Sequence, residues 1–167
     1  MSAVKTASNV QHSRRSFFRG RRQAASPARP PWSLSEDQFV DQCERCDKCI
    51  KACEESILVR GDGGFPEINF SLGECTFCEA CVNQCPSGAL NKAQVETPFS
   101  HTLSITDDCF SKKGIVCQTC KDECETRAIK LVWHSAIPVP EIDQDACTGC
   151  GACISVCPNS SISLKTE

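Results

Sequence analysis

The 167-residue sequence has no tyrosine, one methionine and only 6% aromatic residues. A chain so poor in large side chains cannot rest on an aromatic core, and such chains depend on staples or metals for stability. No run of about 18 apolar residues is present, so no transmembrane helix is expected. No apolar segment follows the basic N-terminal residues, so no secretory signal is expected either. A Gly-rich phosphate loop, paired catalytic carboxylates and a Ser/His/Asp arrangement are all missing, and catalysis is not indicated. Acidic residues are absent from 1–35, where Lys5, Arg14, Arg15, Arg19, Arg21, Arg22 and Arg29 give +7; the remainder carries −10, for a net −3.

Cysteine, by contrast, is abundant: there are 16. Near the end, Cys147-x-x-Cys150-x-x-Cys153-x-x-x-Cys157-Pro158 is the run of bacterial two-cluster ferredoxins. A cubane presents four iron corners, and a short loop places three thiolates on one face of it. The fourth thiolate leaves in another direction, and in two-cluster ferredoxins it ligates the neighbouring cluster. Zinc sites more often use separated CxxC pairs or mixed Cys and His, and disulfides require an oxidising compartment. Cys75, Cys78, Cys81 and Cys85-Pro86 repeat the run, as do Cys43, Cys46, Cys49 and Cys53, with Glu54 in place of proline. Cys109, Cys117, Cys120 and Cys124 form a third, irregular group, C-x7-C-x2-C-x3-C, and with it all 16 cysteines are used. This group leaves alternatives open: a fourth cubane, a three-iron or labile cluster, or a redox thiol pair from Cys117 and Cys120 with Lys112 and Lys113 nearby. His12, His101 and His134 lie outside the cysteine loops and are not expected to be ligands.

The expected fold is α+β, two tandem bacterial-ferredoxin-like two-cluster modules behind a basic arm. The boundaries are 1–34 for the arm, 35–92 for the first module, 93–108 for a linker and 109–167 for the second module. Ser35 with Gln38 reads as a capping box for a short helix leading to Cys43. Ile57–Val59 and Phe65–Phe70 read as a hairpin around Gly61-Asp62-Gly63-Gly64. Ala128–Trp133 and Ile137–Ile142 read as its counterpart, turning near Ser135, with Trp133 packed in the strand. Pro66-Glu67-Ile68-Asn69 against Pro140-Glu141-Ile142-Asp143 indicates an internal duplication. Ile57, Leu90, Ile129 and Ile162, behind the fourth cysteines, are expected to shield the clusters from water.

Ser13-Arg14-Arg15-Ser16-Phe17-Phe18-Arg19 has the look of a twin-arginine export motif, but charge follows where the apolar segment should be. A flexible basic arm is expected instead, docking on a partner through Arg14, Arg15, Phe17 and Phe18, with ordered structure beginning around Ser33.

The whole chain resembles the ferredoxin-type NapF proteins of bacterial periplasmic nitrate reductase systems. The resemblance is carried by the SRR-x-F-F segment, Arg29-Pro30-Pro31-Trp32-Ser33, Cys43-x-x-Cys46-Asp47-x-Cys49, the Gly63-Gly64-Phe65-Pro66 turn, the irregular third group and Cys147-Thr148-Gly149-Cys150-Gly151-Ala152-Cys153. It implies a cytoplasmic [4Fe–4S] protein that contacts the molybdenum-containing catalytic subunit of the nitrate reductase and helps it mature before export. A general electron-transfer polyferredoxin, linking a dehydrogenase to an acceptor, is the alternative.

Overall fold

The computed structural model describes residues 27–134 and 136–166. Arg14, Arg15, Phe17, Phe18 and the expected turn residue Ser135 lie outside them. The elements are short and alternate with the cysteine loops: α1 (Glu36–Gln42), α2 (Lys48–Ala52), β1 (Leu58–Arg60), β2 (Pro66–Ile68), α3 (Ala80–Asn83), β3 (Thr102–Ile105), α4 (Thr119–Asp122), β4 (Ile129–Val132), β5 (Val139–Ile142), α5 (Ala152–Ser155) and β6 (Ile162–Lys165).

Among the described residues these form three two-stranded antiparallel sheets: β1–β2, β4–β5 and β3–β6. The first two are equivalent. Leu58 opposes Ile68 as Ile129 opposes Ile142, and Asn69 N–H donates to the Ile57 carbonyl as Asp143 N–H does to that of Ala128, both at 2.8 Å. The duplicated Pro-Glu-Ile segment is therefore the same strand used twice.

The third sheet lies partly in a stretch expected to be a connector. Thr102–Ile105 pairs with Ile162–Lys165, bringing residues of 93–108 into the second half of the fold. Its counterpart in the first half is one antiparallel bridge, Ser33 to Leu90. Pro30 and Pro31 precede Ser33, and proline has no N–H to extend a ladder. Trp32 also has a left-handed φ of 57°.

Residues 28–34, assigned from sequence to the arm, pack into the body. Trp32 is buried, its N–H donates to the Pro98 carbonyl (2.8 Å) and its own carbonyl accepts from Asn91 N–H (2.8 Å). Ile68 N–H, on the outer edge of β2, donates to the Ala28 carbonyl at 2.8 Å. The Arg29 guanidinium forks onto Glu36 at 2.7 and 2.9 Å and lies over the rings of Phe39 (5.0 Å) and Phe65 (5.4 Å). Its charge is thus spent inside the fold.

Two local expectations are corrected. Ser35 does precede α1, but its hydroxyl donates to Gln38 Oε1 (3.0 Å) and caps no backbone N–H. Trp133 falls beyond β4 and is 70% exposed, so it is not a packed strand residue.

The core is two clusters interleaved with cysteines. Phe39, Ile57, Leu58, Ile68, Phe70, Ala89 and Leu90 surround Cys49 and Cys81; Leu103, Ile129 and Ile162 surround Cys153. Ile57, Leu90, Ile129 and Ile162 are all buried beside the thiols.

Candidate metal centres

All 16 cysteines are free thiols, which sets the disulfide reading aside. Each regular run uses the same local device. The second cysteine is followed by a left-handed residue, Asp47 (φ 60°), Glu79 (φ 62°) or Gly151 (φ 83°), from which a short helix carries the third cysteine inwards. Cys49, Cys81 and Cys153 are accordingly buried. Three residues after every fourth cysteine the chain again turns left-handed, at Ser56, Gly88, Arg127 and Ser160. After Cys124 and Cys157 that turn aims backbone N–H groups back at sulfur. Ser161 N–H reaches Cys157 Sγ at 3.2 Å. At Cys124, burial works to raise the thiol pKa, but the Thr126 hydroxyl and the N–H groups of Ile129, Ala128 and Arg127 outweigh it and hold the thiol below its usual range.

The thiols gather in crossed sets. One cavity is lined by Cys53, Cys75, Cys78 and Cys81, three cysteines of the second run with the last of the first. Another is lined by Cys109, Cys117, Cys120 and Cys157, the third group closed by the last cysteine of the fourth run. The eight cysteines outside those two cavities are left for one further set in each half of the chain. Burial pushes Cys49 up to about 11, with contributions from Cys43, Cys85 and Cys46. Burial likewise pushes Cys153 up to about 12, with Cys150, Cys120, Cys147 and Cys124 adding to it. The first set is therefore Cys43, Cys46, Cys49 and Cys85, and the fourth is Cys124, Cys147, Cys150 and Cys153.

Cys109, the least regular of these residues, is buried and faces its cavity. The seven-residue arch that brings it there is tied internally. Ser111 Oγ donates to the Cys117 carbonyl (2.8 Å), Ile115 N–H donates to the Phe110 carbonyl (2.9 Å), and Gly114 turns with φ 83°. Lys112 and Lys113 are engaged with Asp107 and Asp108. Burial, with Cys109, Cys117 and Cys157 close by, pushes Cys120 up to about 11. A low-pKa redox pair needs the opposite environment.

The donor chemistry fits a polynuclear iron centre. Two of the sets each place four thiols around a small apolar space. A buried thiol with a raised pKa loses its proton to solvent when a metal ion takes the proton's place on sulfur. No described helix is long and apolar enough to cross a membrane.

Residues 42–89 match the 4Fe-4S dicluster domain family and residues 140–163 the 4Fe-4S binding domain family. The ferredoxin-type protein NapF of Escherichia coli (strain K12) is 40% identical over 158 residues, 93% of this chain and 96% of that protein. The Haemophilus influenzae NapF protein is 39% identical over 138 residues, 82% of this chain and 78% of its own length. This chain belongs to the ferredoxin-type NapF family. More distant relatives of the NapF group include the E. coli ferredoxin-type protein NapG, 30% identical over 151 residues, 77% of this chain and 65% of NapG. As a NapF-family member the chain is an iron–sulfur protein of ferredoxin type, with [4Fe–4S] binding over the matched residues.

His101, not expected to be a ligand, packs against the fourth cysteine run. It is buried and its Nε2–H donates to the Gly149 carbonyl at 3.0 Å. Its role is structural, and its separation of 48 residues from Gly149 left no signal of that contact in the sequence. His134 is paired with Glu141 at 2.6 Å.

Proposed function

We propose that the chain holds four [4Fe–4S] clusters on its crossed thiol sets and assists the maturation of the periplasmic nitrate reductase catalytic subunit in the cytoplasm, before that subunit is exported. It would bind the subunit and supply electrons or support cluster assembly. The observation that carries this reading is the likeness to NapF proteins along nearly the whole chain. Bound clusters supply one-electron chemistry at potentials set by exposure and by hydrogen bonds to sulfur. The protein's part is to hold thiolates, exclude water with Ile57, Leu90, Ile129 and Ile162, and direct N–H groups at sulfur.

Docking is assigned to Arg14, Arg15, Phe17 and Phe18, in the acid-free segment. The test is deletion of residues 1–26, which spares the packed Arg29 and Trp32. Co-purification with the unexported catalytic subunit should be lost while dithionite still reduces the clusters. Undiminished binding by the truncated protein would refute the docking role. Full rescue of nitrate reductase maturation by the truncated protein would favour electron carriage alone.

A further inference from the structure

In two of the cysteine runs a side chain occupies each left-handed position flanking the second cysteine. Arg45 (φ 55°) and Asp47 (φ 60°) do so in the first, Phe77 (φ 55°) and Glu79 (φ 62°) in the second. The fourth run has Gly149 (φ 73°) and Gly151 (φ 83°) there. Backbone conformation alone does not explain those glycines, because the same conformation carries larger residues four times in this chain. Their neighbours do. A Cβ on Gly151 would stand 2.2 Å from the ring of Phe70, and one on Gly149 would stand 3.0 Å from His101 Nε2 and 3.2 Å from the ring of Phe99.

Phe70 follows β2 in the first half of the fold, whereas Gly149 and Gly151 belong to the second. The three rings form one group. Phe70 meets Phe99 edge-on (6.1 Å) and His101 edge-on (5.7 Å), and Phe99 lies over His101 (4.6 Å). Phe77, on the second cysteine loop, joins the same group through Phe99 at 5.9 Å. Beside it, Cys75 N–H donates to the Cys150 carbonyl at 2.8 Å, so the two loops touch through the backbones of thiol-bearing residues.

We propose that Phe70, Phe99 and His101 form a key that seats the glycine-bearing loop 147–151 against the second cysteine loop, fixing the separation of the second and fourth thiol sets and joining the two modules into one redox unit. This rests on the reading that both sets hold clusters. The sets then follow one another in space as first, second, fourth and third. The second and fourth sets face a common cavity lined by Cys75, Cys124 and Cys150. Phe70 and Gly151 are positioning residues, since neither supplies a ligand.

The experiment uses the full chain, purified anaerobically with its clusters, and three readouts: iron and sulfide per chain, EPR of the dithionite-reduced protein, and the rate of protease cleavage within 91–100. Gly151→Ala should leave the iron count unchanged, narrow the interaction-broadened EPR signal and speed cleavage severalfold. Adding Phe70→Ala should restore part of both, because it removes the atoms the new methyl strikes. Unchanged EPR and cleavage in Gly151→Ala would overturn the key. Should that loop variant lose iron, Phe99→Ala, outside every cysteine loop, is read by the same signals, and no change in either overturns the proposal. A wild-type protein without iron would instead refute the underlying cluster reading.

Discussion

Ser33 and Leu90 are joined by a single antiparallel bridge at the position where Ile105 and Ile162 anchor the pairing of β3 with β6. Next to each, an N–H of the leading strand bonds the carbonyl four residues after a fourth cysteine: Leu34 to Ala89 (3.1 Å) and Thr106 to Ser161 (2.8 Å). The halves therefore share one plan, in which the strand entering each module closes on the segment leaving it. Each module's last cysteine is drawn back to its first cysteine group by that closure. The crossed grouping of the thiols follows from this topology.

Crossed ligation predicts which substitutions resemble each other. Cys157→Ser should damage the same centre as Cys109→Ser, and Cys124→Ser the same centre as Cys147→Ser. Each pair should share one EPR difference spectrum and lose about four iron atoms. Matching spectra for Cys157→Ser and Cys147→Ser would mean the sets follow sequence order instead.

Arg29 should matter for stability although it stands in a basic stretch. It bonds Glu36 through two nitrogens and lies over two rings, with its side chain only 12% exposed. Arg29→Ala should destabilise the first module by about 1–2 kcal/mol, seen as a lower anaerobic melting temperature. Lysine should not restore it, having no planar fork for both contacts.

His101 gives the junction a pH dependence. Burial lowers its pKa from the usual histidine value, against a smaller opposing effect of its bond to Gly149. Below about 6.5 the unfolded chain takes up a proton there that the folded chain refuses, so this contribution to stability falls as pH drops from that value towards the folded pKa. Cleavage within 91–100 should accelerate between pH 7.5 and 5.5 in wild type. In His101→Gln that dependence should flatten; an equal slope in both would assign it elsewhere.

Removing iron should unfold the chain. The buried apolar residues are few and are threaded between thiols, and small metallodomains of this kind lose their structure without metal. Chelation under reducing conditions should collapse the circular dichroism cooperatively. A retained native spectrum would show a core that stands alone.

The cysteine spacing made the metal centres legible, because a ligand loop constrains sequence at fixed short intervals. The hairpins were legible for a similar reason: Pro66–Asn69 and Pro140–Asp143 repeat visibly. The β3–β6 pairing was not, since Thr102–Ile105 is four residues long and its partner lies some sixty residues on. The left-handed turns after the fourth cysteines were hidden because Ser56, Arg127 and Ser160 fill positions where glycine would have announced them. Arg29 and Trp32 read as part of a charged arm because composition cannot tell a solvated arginine from one stacked between rings.

The most direct test counts iron and sulfide per chain in anaerobically purified protein and records EPR after dithionite reduction. Four crossed cubanes predict about sixteen iron atoms, matching sulfide and spin-coupled spectra. Zinc in place of iron, or iron with no sulfide, would contradict the account at its centre.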